Sequence, residues 1–324
     1  MCTAITYKTR DFYFGRTLDY EHSFGEEIII TPRNFPLDFR SQGILKQHHA
    51  IVGMARNEDG YPLYFDAVNE KGLAMAGLNF VGYADYNAPV SGKDNVPQYA
   101  FIPWILSQCG SVAEAKYLLL RLNLTGEAFN SQLPAAQLHW LLADTKEAIT
   151  IESVKEGLRI YGNPVGVLTN NPPFDQQMLH LTNFMQLSRD TPDNRFAPQI
   201  VLEPYSRGMG ALGLPGDLSS PSRFVRAAFT KLNSVSDGSE EESVTQFFHI
   251  LSTVSQTRGC CRTEGGAYEM TQYASCCNAS RGIYYYTTYH NRQLSAIDLR
   301  REDLSGTALI SYPLLRKQNL YQQN

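Results

Sequence analysis

The sequence predicts an α+β fold built on mainly antiparallel sheets, because strand-like runs and helix-like runs come in clusters instead of alternating one for one. From Cys2 to Phe80 the chain reads almost wholly as short strands and turns. Helical spacing appears only around Phe101–Leu122, and then again after Ser220. From Tyr268 to Leu299 the strand pattern returns.

The elements follow in order. Cys2 to Tyr7 alternates apolar and polar residues, Asp11 marks a turn, and Phe12 to Gly15 is an aromatic run. Glu26 to Ile30 leads to Thr31-Pro32, and Ala50 to Met54 is a further apolar stretch. Tyr61–Val68 and Leu73–Phe80 flank Asn69-Glu70-Lys71-Gly72, a turn-rich tetrad that predicts a hairpin. Phe101–Cys109 predicts a helix stopped by Gly110. Ser111-Val112-Ala113-Glu114 is a capping-box pattern, and Val112, Ala115, Leu118, Leu119 and Leu122 then follow helical spacing. Leu138–Ala143, Ala148–Ser153, Leu158–Tyr161 and Val165–Thr169 read as strands between polar turns. A helix is expected after Ser220, with Pro221 at its first position. Ser243-Val244-Thr245-Gln246 offers a second capping box, with Val244, Phe247, Phe248, Leu251 and Val254 on one face and Ser234–Glu242 as the loop before it. The last strands turn near Asn278–Gly282 and His290–Gln293. No repeat or linker divides the chain, so residues 1–324 are expected to form one domain.

Composition narrows the function. Hydrophobic residues make up 43% and charged residues 19%, ordinary globular usage. Lys and Arg number 28 against 32 Asp and Glu, so the basic excess that binding a phosphate backbone requires is missing and nucleic acid is not an expected partner. No apolar run approaches the roughly 18 residues of a transmembrane candidate. Lys8, Arg10, Asp11, Arg16 and Asp19 break up the start, leaving no room for a signal-peptide core. A cytoplasmic protein is expected, with its six cysteines reduced.

Cys2 is the residue with the clearest chemistry. Removal of Met1 would leave a thiol and a free α-amine on one residue, and an amine with a reference pKa of about 7.7–8.0 is a suitable base for that thiol. Arg16 and Asp19 belong to the strand expected to pair beside Cys2. The guanidinium would favour thiolate, and the carboxylate could hold the amine. Arg223 falls in the first turn of a helix, where the helix dipole disfavours a cation, so a buried partner or a role in a site would explain it.

Other patterns carry less. Gly208-Met209-Gly210-Ala211-Leu212-Gly213 matches a dinucleotide fingerprint letter for letter, but Leu214-Pro215-Gly216-Asp217 interrupts the helix that should follow directly, so this segment reads as a loop. Cys260-Cys261 and Cys276-Cys277 invite a zinc or redox reading, yet neighbouring cysteines on a strand point to opposite faces and free thiols fit better. His48-His49 and His139 read as polar turn and strand residues. There is no H-E-x-x-H, P-loop or G-x-S-x-G.

Met1-Cys2-Thr3-Ala4-Ile5-Thr6 and Phe14-Gly15-Arg16-Thr17-Leu18-Asp19 together resemble the start of the conjugated bile acid (choloylglycine) hydrolases. So do Asn69-Glu70-Lys71-Gly72-Leu73, Gly77-Leu78-Asn79-Phe80, Leu168-Thr169-Asn170-Asn171-Pro172 and the stretch from Gly213-Leu214-Pro215-Gly216-Asp217 through Ser222-Arg223-Phe224. The resemblance runs from residue 1 to about Tyr312. It implies an N-terminal-nucleophile hydrolase fold, two antiparallel sheets between helical layers, and hydrolysis of the amide joining a bile acid to glycine or taurine. It also implies roles: Cys2 as nucleophile and base, Arg16 beside the thiolate, Asp19 at the α-amine, Asn79 and Asn170 as oxyanion donors, and Arg223 next to Cys2. Leu18, Phe65, Phe129 and Leu133 would line the steroid pocket. The resemblance further implies no metal or organic cofactor and a homotetramer, and the lack of a long apolar run leaves a membrane an unexpected partner. The penicillin V acylases, similar in fold and nucleophile, are the alternative reading; they commonly carry Tyr where this chain has Asn79, and Asn there favours bile salts.

Overall fold

The computed structural model describes residues 1–324. Two antiparallel sheets lie face to face. In spatial order the six-stranded sheet runs Val167–Leu168, Cys2–Lys8, Phe12–Tyr20, Met270–Asn278, Ile283–Thr288 and Asn291–Asp298. The eight-stranded sheet runs Gly157–Gly162, Ala148–Val154, Leu138–Ala143, Ala74–Asn79, Tyr61–Asn69, Ile51–Glu58, Glu27–Thr31 and Ile310–Pro313. The helices are α1 (Phe101–Gln108), α2 (Val112–Leu119), α3 (Phe174–Leu181), α4 (Ser220–Asn233) and α5 (Glu240–Ser252).

Period-two burial explains the layering. Ile28, Ile30, Val52 and Met54 turn inward to the core shared by the two sheets, which continues to Phe224, Phe247 and Leu251 of α4 and α5. Ile29, Ile51 and Ala55, one residue out of phase, pack instead with Phe101, Ile105 and Leu119 of α1 and α2. Both faces of both sheets are therefore covered, and the order of layers is α, β, β, α. The α+β class with antiparallel sheets, read from the clustered pattern, is borne out, as is the sandwich of two sheets between helical layers that the resemblance implies. Gly15 brings two central strands close: a Cβ there would stand 2.0 Å from the Ser275 carbonyl oxygen.

The hairpin around Asn69–Gly72 forms, with Asn69 Oδ1 accepting from the backbone NH groups of Lys71 (3.1 Å) and Leu73 (3.0 Å). Ser111 caps α2 by accepting from the Glu114 NH at 3.2 Å, and the Glu114 carboxylate reaches back to the NH of Gly110 at 2.7 Å. Two expectations need correction. Leu122 is not on α2; it opens the short strand Leu122–Thr125, which pairs in parallel with Asp94–Pro97. Four alternating residues there satisfy their backbone against a strand, so the helical spacing stopped at Leu119. The capping residue of α5 is Ser239, not Ser243: Ser239 Oγ accepts from the Glu242 NH, and Glu240, Glu241 and Glu242 fill the first turn, where the helix dipole favours acids. Ser243 is buried in that turn and shares a hydrogen bond with the Thr9 hydroxyl at 2.8 Å.

Candidate active site

Cys2 opens a central strand of the six-stranded sheet, opposite Leu18 on the neighbouring strand. Register does the rest: Arg16 lies opposite Ala4, and Asp19 pairs with Thr271 on the other side. Local strand pairing alone therefore gathers three of the residues singled out from sequence, and all three are buried.

The others arrive from distant parts of the chain and meet at Asn170. Its Oδ1 accepts from the Cys2 backbone NH at 2.8 Å and from Arg223 Nη2 at 2.8 Å. Its Nδ2 donates to the Asn79 carbonyl at 2.8 Å, which uses one of two amide hydrogens and leaves the other. Ser220 Oγ, at the start of α4, accepts from the Asn170 NH. Arg223, one turn into α4, donates to the Cys2 carbonyl (2.5 Å), the Thr3 hydroxyl (2.6 Å) and the Leu218 carbonyl (3.0 Å) as well. Four acceptors explain the cation in a helix's first turn. Burial lowers the affinity of Arg223 for its proton, opposed by Asp19 and Cys2.

Arg16 is fully buried. Nη1 donates to the carbonyls of Phe65 (3.1 Å) and Gly77 (2.5 Å) on the facing sheet, Nε to the Thr17 carbonyl, and Nη2 has no acceptor in the chain. Burial alone would lower its pKa, but Cys2, Tyr273, Asp66 and Asp19 together raise it, so the guanidinium stays charged. Asp19 accepts from Thr271 (2.6 Å) and Thr17 (3.1 Å). Residue 1 lies alongside: its amino group donates to the Asp19 carbonyl and pairs with the Glu269 carboxylate.

A cavity of about 440 Å³ opens onto Cys2, Arg16 and Asn79. Leu18, Phe65, Phe129 and Leu133 all stand in its wall, Phe129 packed edge-on against Tyr99 with ring centroids 5.1 Å apart. A larger cavity of about 520 Å³, beneath α5, has five threonines and two serines among its fifteen lining residues and contains none of the site residues. The glycine loop at Gly208–Gly213 forms a short turn that packs on the Ser188 and Asp190 carbonyls through Gly210. Cys276 and Cys277 are buried thiols, while Cys260 is exposed.

Sequence reasoning missed several residues behind this site. Asp66, fully buried on the eight-stranded sheet, accepts from the hydroxyls of Tyr273 (2.6 Å), Tyr284 (2.5 Å) and Ser275 (3.0 Å) on the six-stranded sheet. Ser275 itself accepts from the Arg16 NH, so it must donate onward. Three donors and no bond donated is the pattern of an ionised carboxylate. Burial raises its pKa against the pull of Arg16 and the three hydroxyls. His139, expected to be a simple polar strand residue, is buried between the Glu152 carboxylate (3.0 Å) and the Thr169 carbonyl (2.9 Å), and stacks on Phe80. It thus braces the segment that carries Asn170.

Comparison with known proteins finds relatives along the whole chain. The family described as linear amide C–N hydrolases, choloylglycine hydrolase family, matches residues 2–312. A protein of Lactiplantibacillus plantarum named bile salt hydrolase/transferase is 55% identical over 324 residues, covering 100% of both chains. The crystal structure of the C2A mutant of a conjugated bile acid hydrolase from Clostridium perfringens has a TM-score of 0.93 and 36% identity, again with 100% of both chains covered. A penicillin V acylase from Agrobacterium tumefaciens shares the fold, with a TM-score of 0.77 at 20% identity over 96% of this chain and 91% of its own. This chain belongs to the choloylglycine hydrolase family of linear amide C–N hydrolases.

Proposed function

We propose that this enzyme hydrolyses the amide joining a bile acid to glycine or taurine, with Cys2 as the nucleophile. The observation that carries the reading is a buried Cys2, with Arg16 beside it and two asparagines nearby, at the wall of an apolar cavity large enough for a small amphipathic ligand.

In this reading, excision of Met1 frees the Cys2 nitrogen. That amine takes the thiol proton, the Arg16 charge stabilises the resulting thiolate, and Asp19 steadies the ammonium. The sulfur attacks the amide carbon, and the oxygen that gains charge is met by Asn79 and by the remaining hydrogen of Asn170 Nδ2. One such donor contributes roughly 2.7–4 kcal/mol to the transition state elsewhere. Collapse breaks the C–N bond as the ammonium gives its proton to the departing glycine or taurine. Water then loses a proton to the amine and attacks the thioester, releasing the bile acid and restoring the thiol. Arg223 keeps Asn170 and the Cys2 backbone in register throughout.

The test compares taurocholate, glycocholate and penicillin V. Both conjugates should turn over faster than penicillin V; the reverse order would overturn the substrate assignment.

Two further parts of the reading concern the setting. No helix is long and apolar enough to cross a membrane, and a cytoplasmic location is proposed. A homotetramer is proposed as well, supported by Met185, Phe196, Val201 and Tyr205, large apolar side chains left 83–86% exposed between α3 and α4. Sedimentation should report four copies of the 36.4 kDa chain; a species of that single mass at micromolar concentration would overturn it.

A further inference from the structure

The cavity wall holds a side-chain amide whose oxygen is buried and without a partner. Gln98 begins the short turn Gln98–Ala100 that runs directly into α1, so its backbone is fixed, its carbonyl accepting from the Phe101 NH. The side chain is 3% exposed, lines the cavity that holds Cys2, and its Oε1 makes no hydrogen bond. Of the other polar groups lining the cavity, the Tyr99 hydroxyl accepts from Arg40 at 3.0 Å and Arg56 pairs with Glu58 at 2.6 Å, and neither meets Gln98 Oε1. Leu63, Phe65, Phe129 and Leu133 supply apolar surface in the same cavity.

A buried amide without a partner disfavours the folded state unless something else completes it, and an apolar residue of the same length would fill this position without that penalty. An occupant that is mostly apolar but carries a hydroxyl would complete it. A hydroxyl both donates and accepts, so it suits the amide in either of its two orientations.

We propose that Gln98 is a specificity-determining residue that hydrogen-bonds a ring hydroxyl of the bound steroid. The inference rests on the bile-acid reading above and deepens it. The cavity's apolar wall accepts any steroid nucleus of the right size, whereas Gln98 distinguishes nuclei by whether a hydroxyl sits at one place. The discrimination arises because a nucleus lacking that hydroxyl seals the amide away from water still unpaired.

The experiment compares taurine conjugates of a trihydroxylated nucleus and of the same nucleus stripped of ring hydroxyls, in wild type, Q98M and Q98E. Wild type should favour the hydroxylated conjugate in kcat/KM. In Q98M, which keeps the length and loses the hydrogen bond, that preference should fall about 5–10-fold, mostly through KM of the hydroxylated conjugate, with kcat little changed. Q98E keeps an acceptor and should retain more of the preference. Calorimetric binding of the two free bile acids to the C2A and C2A/Q98M proteins gives the same comparison without turnover. A preference unchanged by Q98M in turnover or in binding overturns the assignment of Gln98 alone. Wild-type enzyme that neither turns over nor binds either steroid overturns the bile-acid reading and this inference with it.

Discussion

Cys2→Ala abolishes turnover of both bile-acid conjugates and leaves the protein folded. The loss should be at least ~10⁴-fold, because no other group in the cavity can form the acyl intermediate; removing the nucleophile of a well-studied protease has an effect of that order or larger. Stability should change by about 1 kcal/mol or less, since the variant removes one small buried atom and creates little cavity. The backbone contacts that organise the site do not involve the sulfur: the Cys2 NH still reaches Asn170 Oδ1 and the Cys2 carbonyl still accepts from Arg223. Circular dichroism and a thermal melt establish the fold, and intact mass establishes whether Met1 has gone. A folded Cys2→Ala protein with wild-type turnover would sink the mechanism. Wild-type protein that retains Met1 should also be inactive, because its Cys2 nitrogen is an amide and the amino group of residue 1 is held by Glu269.

The parts of this site that sequence made legible are those set by local pairing. Cys2, Arg16 and Asp19 lie on two adjacent strands joined by a short turn, so pairing them in the obvious way places them together. Arg223 was marked by a local anomaly, a cation in a helix's first turn, and its four acceptors account for it. Other features left no local mark. Ser239 and Ser243 both begin patterns suited to a cap, and only the three acids after Ser239 and the engagement of Ser243 by Thr9 decide between them. Leu122 fits a helical face by spacing, yet a partner strand nearly thirty residues earlier claims it. Asp66 is the largest omission. Its partners lie 207 to 218 residues away on the other sheet, and an aspartate within an apolar strand gives no sign of what will face it.

That omission leads to the second large effect. Asp66→Ala should destabilise the protein by about 3 kcal/mol or more, because three buried hydroxyls lose their acceptor at roughly 1 kcal/mol or more each. The change leaves Arg16, also fully buried, without a counter-charge that helps keep it ionised, and it strands the hydroxyls of Tyr273, Tyr284 and Ser275 between the sheets. Asp66→Asn separates the two contributions: it keeps the shape and an oxygen acceptor but removes the charge, so it should be less destabilising than Asp66→Ala while still lowering kcat through Arg16. The pH dependence has a definite sign. Folding raises the Asp66 pKa above the ordinary aspartate value of 3.8, so just above that pH the folded chain retains a proton that the unfolded chain has lost. Stability therefore falls as pH rises through that window, and the stability difference between wild type and Asp66→Asn should shift in the same direction there. Denaturant melts at pH 4, 5.5 and 7 measure this. If Asp66→Ala unfolds at the wild-type midpoint and keeps wild-type kcat, the buried carboxylate neither supports Arg16 nor joins the sheets, and the account of why that arginine can stay charged beside Cys2 fails.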